Sequence, residues 1–354
     1  MNTDFKKADD MNGDNIEAKA PGVIKLFGEH AAVYGKLSVA VAISMYAKVS
    51  VRKRKDMNLK IILANFSDFT SILDKRTLSL VYKKYKGRKN IGEYISSVSG
   101  IDKRILPFAT IAARLIGEFG IDILGNEITI SSEIPMQSGG ASSAACSTAF
   151  TVALLKLSEK TPEDSTVLDI ARDGERIAHI SEGAGRIDTA TSYYGGYVST
   201  AEGGRHEDVK TSMGIVLINT GSKKSTAETV GSVRKQYEEN REKTEKILNE
   251  IEKCSIKGLE ALKKSDLPEV GRLMYEDQML LKELGVSSDG LDRAVEVCMR
   301  NGAYGAKLSG GGGGGMAIAI HKNPKMLVNA AEAEGFASYL AEVAFEGASY
   351  YLKK

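Results

Sequence analysis

The feature that most constrains this chain is a glycine turn at residues 135–145 that opens into a long apolar helix. A helix start offers free backbone N–H groups and the positive end of the helix dipole. Gly139 and Gly140 allow an anion to approach the backbone closely, and the hydroxyls of Ser142 and Ser143 can bind phosphate or Mg²⁺. The turn therefore favours a nucleotide-phosphate cradle, with an ordinary serine-capped strand-to-helix turn as the alternative.

Length and charge narrow the class of protein. The 354 residues exceed what one hydrophobic core usually organises, so two domains are expected. A net charge of +2 gives no general attraction to nucleic acid or to an anionic membrane, so an anion site must be local. Residues 1–15 are polar and predict a flexible extension rather than a signal peptide. No later apolar stretch is long enough to span a bilayer, so a cytoplasmic protein is expected.

The cysteines argue against a disulfide framework or a zinc site. Cys146, Cys254 and Cys298 are odd in number, widely spaced and embedded in apolar helical patterns. They predict buried thiols.

Two further glycine-containing segments frame the first. Residues 20–35 run through a strand pattern into a turn, and residues 306–316 contain six consecutive glycines. Such a run is often a flexible linker. Here it stands between a helical pattern at residues 291–300 and an apolar strand at 317–320, which favours a backbone that wraps closely around a ligand.

These three segments, in this order, resemble the motifs of the kinase superfamily named for galactokinase, homoserine kinase, mevalonate kinase and phosphomevalonate kinase. The resemblance covers nearly the whole chain after the N-terminal extension. It is greatest for the mevalonate branch, to which three stretches are similar: residues 28–35, 187–196 and 277–286. The resemblance implies an ATP- and Mg²⁺-dependent kinase that phosphorylates the 5-hydroxyl of mevalonate.

The fold that the resemblance implies is α+β. It joins an N-terminal S5-like α/β domain, residues 16–205, to a C-terminal domain with a ferredoxin-like core, residues 206–354, with a boundary in the polar stretch 203–212. Hydrophobic periodicity predicts strands at residues 19–27, 38–51, 127–132, 214–219 and 317–320. It predicts helices at residues 105–119, 144–157, 168–180, 233–252 and 291–300.

The resemblance also assigns nucleotide and metal residues. The expected ATP-binding set is Pro135, Ser138, Gly139, Gly140, Ala141, Ser142, Ser143, Ala144, Gly311, Gly312 and Gly313. Ser143 and Glu175 match the Mg²⁺ ligands of the superfamily, and their oxygens suit a hard cation. A surface glutamate paired within its helix is the alternative for Glu175.

Asp188 matches the catalytic aspartate that accepts the acceptor's proton. It is expected in a turn between a glycine-rich stretch and a run of small hydroxyl residues, where an Asx-turn or cap is the alternative. The superfamily usually has Ser or Pro-Ser just before this aspartate, whereas Gly185 and Arg186 stand here. Arg186 is a candidate contact for an anionic group of the substrate.

A second departure concerns the catalytic lysine. Mevalonate kinases usually carry lysine at the fourth position of the first motif, where this chain has Val23, and Lys25 follows two residues later. Residues two apart on a strand point to the same face, about 7 Å apart along the backbone. Lys25 is therefore the candidate substitute that lowers the hydroxyl pKa or screens the γ-phosphoryl charge; a lysine whose stem lies along the strand edge is the alternative.

Three residues remain on the acceptor side. Glu29 and His30 match substrate-side residues of the first motif, with His30 expected as a hydrogen-bonding contact rather than a base. Thr226 matches a threonine that faces the substrate. No role is assigned to the other histidines: His179, His206 and His321.

The sequence does not decide which acceptor molecule is phosphorylated. An already phosphorylated mevalonate, such as mevalonate 3-phosphate, would account for Val23, Lys25 and Arg186 as an extra anion site. A sugar kinase of the galactokinase type and a non-catalytic small-molecule sensor are further alternatives. Residues 277–286 argue against the first of these, and the retained metal and base groups argue against the second. A homodimer is compatible with the sequence.

Overall fold

The computed structural model describes residues 15–135, 139–158, 162–181, 186–200, 204–222 and 226–352. The strands are β1 (Asn15–Phe27), β2 (Val39–Lys53), β3 (Leu59–Leu63), β4 (Phe69–Leu73), β5 (Asn126–Ser132), β6 (Tyr197–Ser199), β7 (Arg205–Glu207), β8 (Gly214–Asn219), β9 (Gly305–Ser309), β10 (Met316–Ile320), β11 (Ala337–Glu342) and β12 (Ser349–Leu352). The helices are α1 (Lys75–Lys86), α2 (Ile91–Ser97), α3 (Leu106–Phe119), α4 (Ser142–Leu155), α5 (Asp164–His179), α6 (Arg186–Tyr194), α7 (Thr226–Glu239), α8 (Arg241–Lys263), α9 (Leu267–Glu283), α10 (Asp289–Arg300) and α11 (Pro324–Ala333), with 3₁₀ turns at Ala31–Tyr34 and Ala64–Phe66.

The strands form two sheets. The first has the order β12-β1-β2-β5-β3-β4, with β6 beside β2 and β7 beside β6. The second has the order β11-β8-β10-β9 and is antiparallel throughout. Helices α7–α10 join β8 to β9, and α11 joins β10 to β11. The strands, numbered in chain order, are arranged 4-1-3-2, which is the order of a ferredoxin-like β-α-β-β-α-β unit, here with additional helices between its first two strands. The predicted α+β class is confirmed.

The first sheet takes strands from both ends of the chain. The last strand, β12, pairs with β1, so the C-terminus returns to the sheet in which the chain begins. β7 extends the same sheet through β6 and lies within the predicted boundary stretch 203–212. That boundary stays a prediction. Residues 1–14 of the predicted extension lie outside the described residues, and its last residue, Asn15, begins β1.

The two faces of β1 meet different parts of the protein. Val23 packs in an apolar cluster with Ile187 and Ala190 of α6. Ile24 belongs instead to the core that the first sheet shares with the second. Since alternate residues of a strand project to opposite faces, Lys25 points to the α6 side together with Val23.

Most predicted elements agree with the structure to within a few residues, and two do not. The single helix predicted at 233–252 is two helices, α7 and α8, because the chain breaks at Asn240, whose side chain accepts a hydrogen bond from Lys243 N and caps α8. Asp188 was expected in a turn but lies in the first turn of α6.

Two of the three cysteines are buried, as the sequence predicts. Cys254 and Cys298 are buried and Cys146 is partly buried, all three as free thiols. Burial raises the pKa of each thiol to about 12, so each is unreactive at neutral pH.

Among the described residues, no helix is both long and apolar enough to cross a membrane.

The packing of α8 on β1 can be tested at a glycine. A Cβ at Gly258 would lie 2.4 Å from the fully buried ring of Phe27. We expect Gly258→Ala to lower the free energy of unfolding by about 1–3 kcal/mol through overpacking. The matched control is Gly231→Ala in α7, where a Cβ meets nothing within 4 Å and helix propensity should add about 0.5–1 kcal/mol. Urea denaturation of both variants measures the difference, and equal effects would contradict the predicted packing.

Candidate active site

The loop before α4 is packed against β1 and against the end of β9. Val23 N donates a hydrogen bond to Gly140 O at 3.1 Å. A Cβ at Gly139 would lie 3.0 Å from the carbonyl oxygen of Ser309, and the φ of 81° at Gly139 is in the region that favours glycine. The loop therefore approaches two strands more closely than a residue with a side chain would permit.

α4 begins at Ser142, directly after this loop. Ala141 has a φ of 51°, a left-handed conformation that is unfavourable for a residue other than glycine and is typical of functional turns. Within the described part of the chain no side chain caps the first turn of α4, so its backbone N–H groups are available to an anion. Ser142 Oγ lies 2.9 Å from Ser132 Oγ, and the predicted ATP contact Ser138 lies outside the described residues.

The two predicted catalytic residues are in contact. Lys25 Nζ donates a hydrogen bond to Asp188 Oδ2 at 3.1 Å, joining β1 to α6. Burial by itself lowers the pKa of Lys25, but the charge and hydrogen bond of Asp188, with the charges of Glu29 and Glu175, outweigh it, so the pKa is raised above 10.5. Lys25 is therefore an ammonium at neutral pH, fixed beside the predicted proton acceptor.

The predicted metal ligands share a third partner, His179. Glu175 and His179 are four residues apart on α5 and so lie on one face of the helix. His179 Nε2 lies 3.5 Å from Glu175 Oε2 and 3.3 Å from Ser143 Oγ. The hydrogen bond to Glu175 raises the pKa of His179, although burial opposes it. The sequence contained the i,i+4 spacing, but the link to Ser143 on α4 depends on tertiary packing.

Glu175 has the properties expected of a metal ligand. It is 2% exposed, and its Oε1 has no hydrogen-bond partner among the described residues. A buried carboxylate oxygen without a partner is unfavourable, and a cation would satisfy it. With the hydroxyl of Ser143 nearby, the donor set is of the oxygen type that Mg²⁺ prefers.

The glycine run after β9 is a folded turn rather than a linker. Gly313 N donates to Val286 O at 2.7 Å, and a Cβ at Gly312 would lie 2.1 Å from the same carbonyl oxygen. His30 Nε2 lies 3.0 Å from Gly311 O. A carbonyl only accepts, so this nitrogen carries the hydrogen. Burial lowers the pKa of His30, which keeps the ring neutral at physiological pH.

Glu29 is held in a buried cluster of charges. Lys307 on β9 forms an ion pair with Glu29 and lies 3.3 Å from Asp277 Oδ2 on α9. All three side chains are at most 1% exposed. Two carboxylates thus share one ammonium. Burial raises the pKa of Asp277 to about 7; Lys307 opposes this shift and the negative charge of Glu29 adds to it.

Two other residues predicted to contact the acceptor lie at the starts of helices. Arg186 is the exposed first residue of α6, two residues before Asp188. Thr226 is the first residue of α7, and its side chain is not among those described. Lys307 and Asp277 belong to segments that resemble the superfamily, but sequence reasoning gave neither a role, because their partners are distant in the chain.

Comparison with known proteins decides the family. The family model for the GHMP kinases N terminal domain matches residues 107–196, and that for GHMP kinases C terminal matches residues 259–334. The mevalonate kinase of Thermococcus sibiricus is 32% identical over 313 residues, which cover 86% of this chain and 89% of that protein. The chain belongs to the GHMP kinase family.

Solved structures share the fold of this GHMP kinase. The crystal structure of the Methanococcus jannaschii mevalonate kinase has a TM-score of 0.78 at 24% identity, covering 94% of this chain and 99% of the other. The L. major mevalonate kinase in complex with R-mevalonate has a TM-score of 0.73 at 23% identity, covering 94% of this chain and 96% of the other. The similarity therefore extends over both sheets, and the predicted family and fold are confirmed.

The buried cluster of this GHMP kinase predicts a pH-dependent stability. The pKa of Asp277 is higher in the folded state than the ordinary 3.8, so the folded state binds the proton more tightly. This contribution to stability is complete at low pH and is lost as pH rises from about 4 to about 7, by up to about 1.4 kcal/mol per pH unit. Asp277→Asn removes the titration.

The comparison of wild type with Asp277→Asn isolates this one group. From pH 5 to pH 7 we expect the free energy of unfolding of Asp277→Asn to rise relative to wild type by on the order of 2 kcal/mol. Urea denaturation at several pH values measures it. A difference that stays constant with pH would contradict the raised pKa.

Proposed function

We propose that this GHMP kinase transfers the γ-phosphoryl group of ATP to the 5-hydroxyl of mevalonate. The observation that carries the proposal is the contact between Lys25 and Asp188, made from a strand, β1, whose backbone bonds to the loop before α4 and to Ser309 at the end of β9. The similarity to mevalonate kinases over most of the chain supports the choice of acceptor. An ADP-release assay with mevalonate as acceptor tests it, and no release would contradict it.

The residues act through position and charge. Phosphoryl transfer requires an oriented acceptor hydroxyl and positive charge near the transferring group. Asp188 accepts the proton of the hydroxyl as the oxygen attacks the γ-phosphorus. Lys25, held as an ammonium beside Asp188, lowers the pKa of that hydroxyl and stabilises the charge that develops on the phosphoryl oxygens. The first turn of α4 holds the phosphates through its N–H groups.

Ser143 and Glu175 would hold Mg²⁺. The free Oε1 of Glu175 and the Ser143 hydroxyl are suitable donors, and within the described ranges no group of three or more His, Cys, Asp or Glu side chains forms a metal site by itself. Mg²⁺ typically takes one or two protein oxygens and completes its shell with phosphate and water. When bound, it neutralises charge on the phosphates.

One observation favours a second acceptor, an already phosphorylated mevalonate such as mevalonate 3-phosphate. Burial lowers the pKa of Arg172, and the positive charges of Arg176 and Arg186 add to this shift while the charges of Asp169 and Asp173 oppose it. Arg186 is exposed at the start of α6, two residues before Asp188, where an additional anion of the acceptor would pair with it. ADP release measured side by side with mevalonate, mevalonate 3-phosphate, phosphomevalonate and galactose separates the candidates by kcat/KM.

Removal of the proton acceptor should abolish most turnover. We expect Asp188→Asn to lower kcat by at least about a hundredfold, because the amide cannot take the proton, while ATP binding changes little. Steady-state kinetics with a direct ATP-binding measurement checks both parts. Turnover near the wild-type rate would mean that another group receives the proton.

Removal of the lysine charge should act on kcat rather than on folding. Lys25→Met keeps an apolar stem but loses the ammonium, and we expect a loss of about tenfold or more in kcat, since charge stabilisation is realised in the transition state. The matched control is Lys19→Met on the same strand, where Lys19 makes a partly exposed ion pair with Glu346. If Lys25→Met retains full kcat and changes only thermal stability, the lysine is structural.

Loss of either metal ligand should be visible in the Mg²⁺ dependence. We expect Ser143→Ala and Glu175→Gln each to raise the Mg²⁺ concentration for half-maximal rate by about threefold or more, because each removes a hard oxygen donor or its charge. Mg²⁺ titrations at saturating ATP and acceptor measure this shift. Unchanged titrations in both variants would place the metal elsewhere.

A further inference from the structure

The segment at residues 277–286 contacts both β9 and the glycine run that follows it. Asp277 faces Lys307 of β9 at 3.3 Å, and Gln278 Oε1 accepts a hydrogen bond from Leu308 N at 2.8 Å. At the other end of the segment, Val286 O accepts from Gly313 N. This stretch thus contacts the strand that carries Lys307 and the turn that follows it, and none of the roles assigned above uses Asp277.

Lys307 is fixed in three directions. Its ammonium is fully buried and has three N–H donors. It makes its ion pair with Glu29 Oε1, donates to Leu308 O at 3.0 Å and forms a second ion pair with Asp277 Oδ2 at 3.3 Å, a contact without hydrogen-bond geometry. A buried lysine held by its own strand and by two segments distant in the chain has little freedom to move, so the oxygen of Glu29 that it binds is fixed as well.

The second oxygen of Glu29 is left for a ligand. Glu29 is 2% exposed, and its Oε2 has no hydrogen-bond partner among the described residues. Glu29 is also close enough to the catalytic pair for its charge to raise the pKa of Lys25. A buried acceptor atom near the reacting groups, without a donor of its own, suits a hydroxyl of the substrate.

We propose that Lys307, anchored by Asp277, is a positioning residue that holds one oxygen of Glu29 and presents the other to a hydroxyl group of the acceptor. The proposal rests on the proposed acceptor kinase activity and extends it to residues of the second sheet. Lys307 does not touch the substrate and acts only through Glu29. Because Lys307 is two residues before Ser309, whose Oγ accepts from Lys25 N at 3.1 Å, the same strand also aligns the catalytic lysine.

A double-mutant cycle between Asp277 and Glu29 tests whether the first acts through the second. Asp277→Asn is nearly isosteric and removes one anchor of Lys307; Glu29→Gln weakens the acceptor contact itself. Mevalonate binding is measured by calorimetry without ATP, and the KM values for mevalonate and ATP by steady-state kinetics. We expect Asp277→Asn to weaken mevalonate binding by on the order of tenfold and to leave the KM for ATP within about twofold. In the Glu29→Gln background the same change should cost less than about twofold.

A matched control separates this coupling from general damage to the turn. Glu252 on α8 accepts a hydrogen bond from Leu37 N at 3.0 Å, at the far end of the turn that begins at Glu29. Glu252→Gln should add to Glu29→Gln without coupling. Two outcomes would overturn the proposal: an effect of Asp277→Asn on mevalonate binding that is equally large with Glu29 and with Gln at position 29, or equal weakening of ATP and mevalonate binding. Either outcome would mean that Asp277 only supports the fold.

The cycle also distinguishes this proposal from the function on which it rests. Wild-type protein that neither binds nor phosphorylates mevalonate contradicts the proposed acceptor, and the cycle is then read with the acceptor that releases ADP. If the wild type phosphorylates mevalonate but the effects of Asp277→Asn and Glu29→Gln are additive, only the positioning role of Lys307 is contradicted. Lys307→Met should reproduce the selective loss of acceptor binding; if it does not fold, Asp277→Asn still decides the question.

Discussion

The candidate active site depends on close contacts among three separate segments of the chain. Val23 N bonds to Gly140 O, Lys25 N bonds to Ser309 Oγ, and a Cβ at Gly139 would lie 3.0 Å from Ser309 O. Hydrogen bonds and contacts of this kind tolerate only a few tenths of an ångström of variation. The start of α4, the face of β1 that bears Lys25 and the end of β9 are therefore fixed relative to one another. A site built on such contacts can hold reacting groups near productive geometry without ligand.

The same compactness makes the charges of the site unfavourable for stability. The buried Lys307 cluster carries two carboxylates for one ammonium, and the cost of desolvating such groups often exceeds their mutual attraction. The raised pKa of Asp277 expresses that cost. Charges that are already desolvated and oriented need little reorganisation when charge develops during phosphoryl transfer. The arrangement is better explained by preorganisation than by a gain in folding free energy.

The sequence predicted what depends on local pattern. Hydrophobic periodicity and glycine positions predicted α4 and β1, and the resemblance to the kinase superfamily implied the α+β fold. It did not predict the break at Asn240, because one charged amphipathic pattern continues across two helices. The position of Asp188 in α6 was also missed, since the preceding glycines indicated a turn.

The contacts that the sequence missed are all long-range. Lys307 and Glu29 are 278 positions apart, and no periodicity or spacing connects them. His179 carried a visible i,i+4 relation to Glu175, but its contact with Ser143 requires α4 and α5 to pack side by side. Such pairs are decided by how helices and sheets pack, which local pattern does not specify.

The proposed catalytic lysine, Lys25, lies two residues along β1 from Val23, the position at which mevalonate kinases usually carry lysine. Val23 is 1% exposed and packs with Ile187 and Ala190 of α6. An ammonium there would face this apolar cluster, whereas valine helps to hold α6 against β1. Lys25 lies on the same face of the strand, and its long stem brings Nζ to Asp188 on that helix. A displacement of two residues along the strand therefore still allows the ammonium and the carboxylate to meet, as the proposed reaction requires.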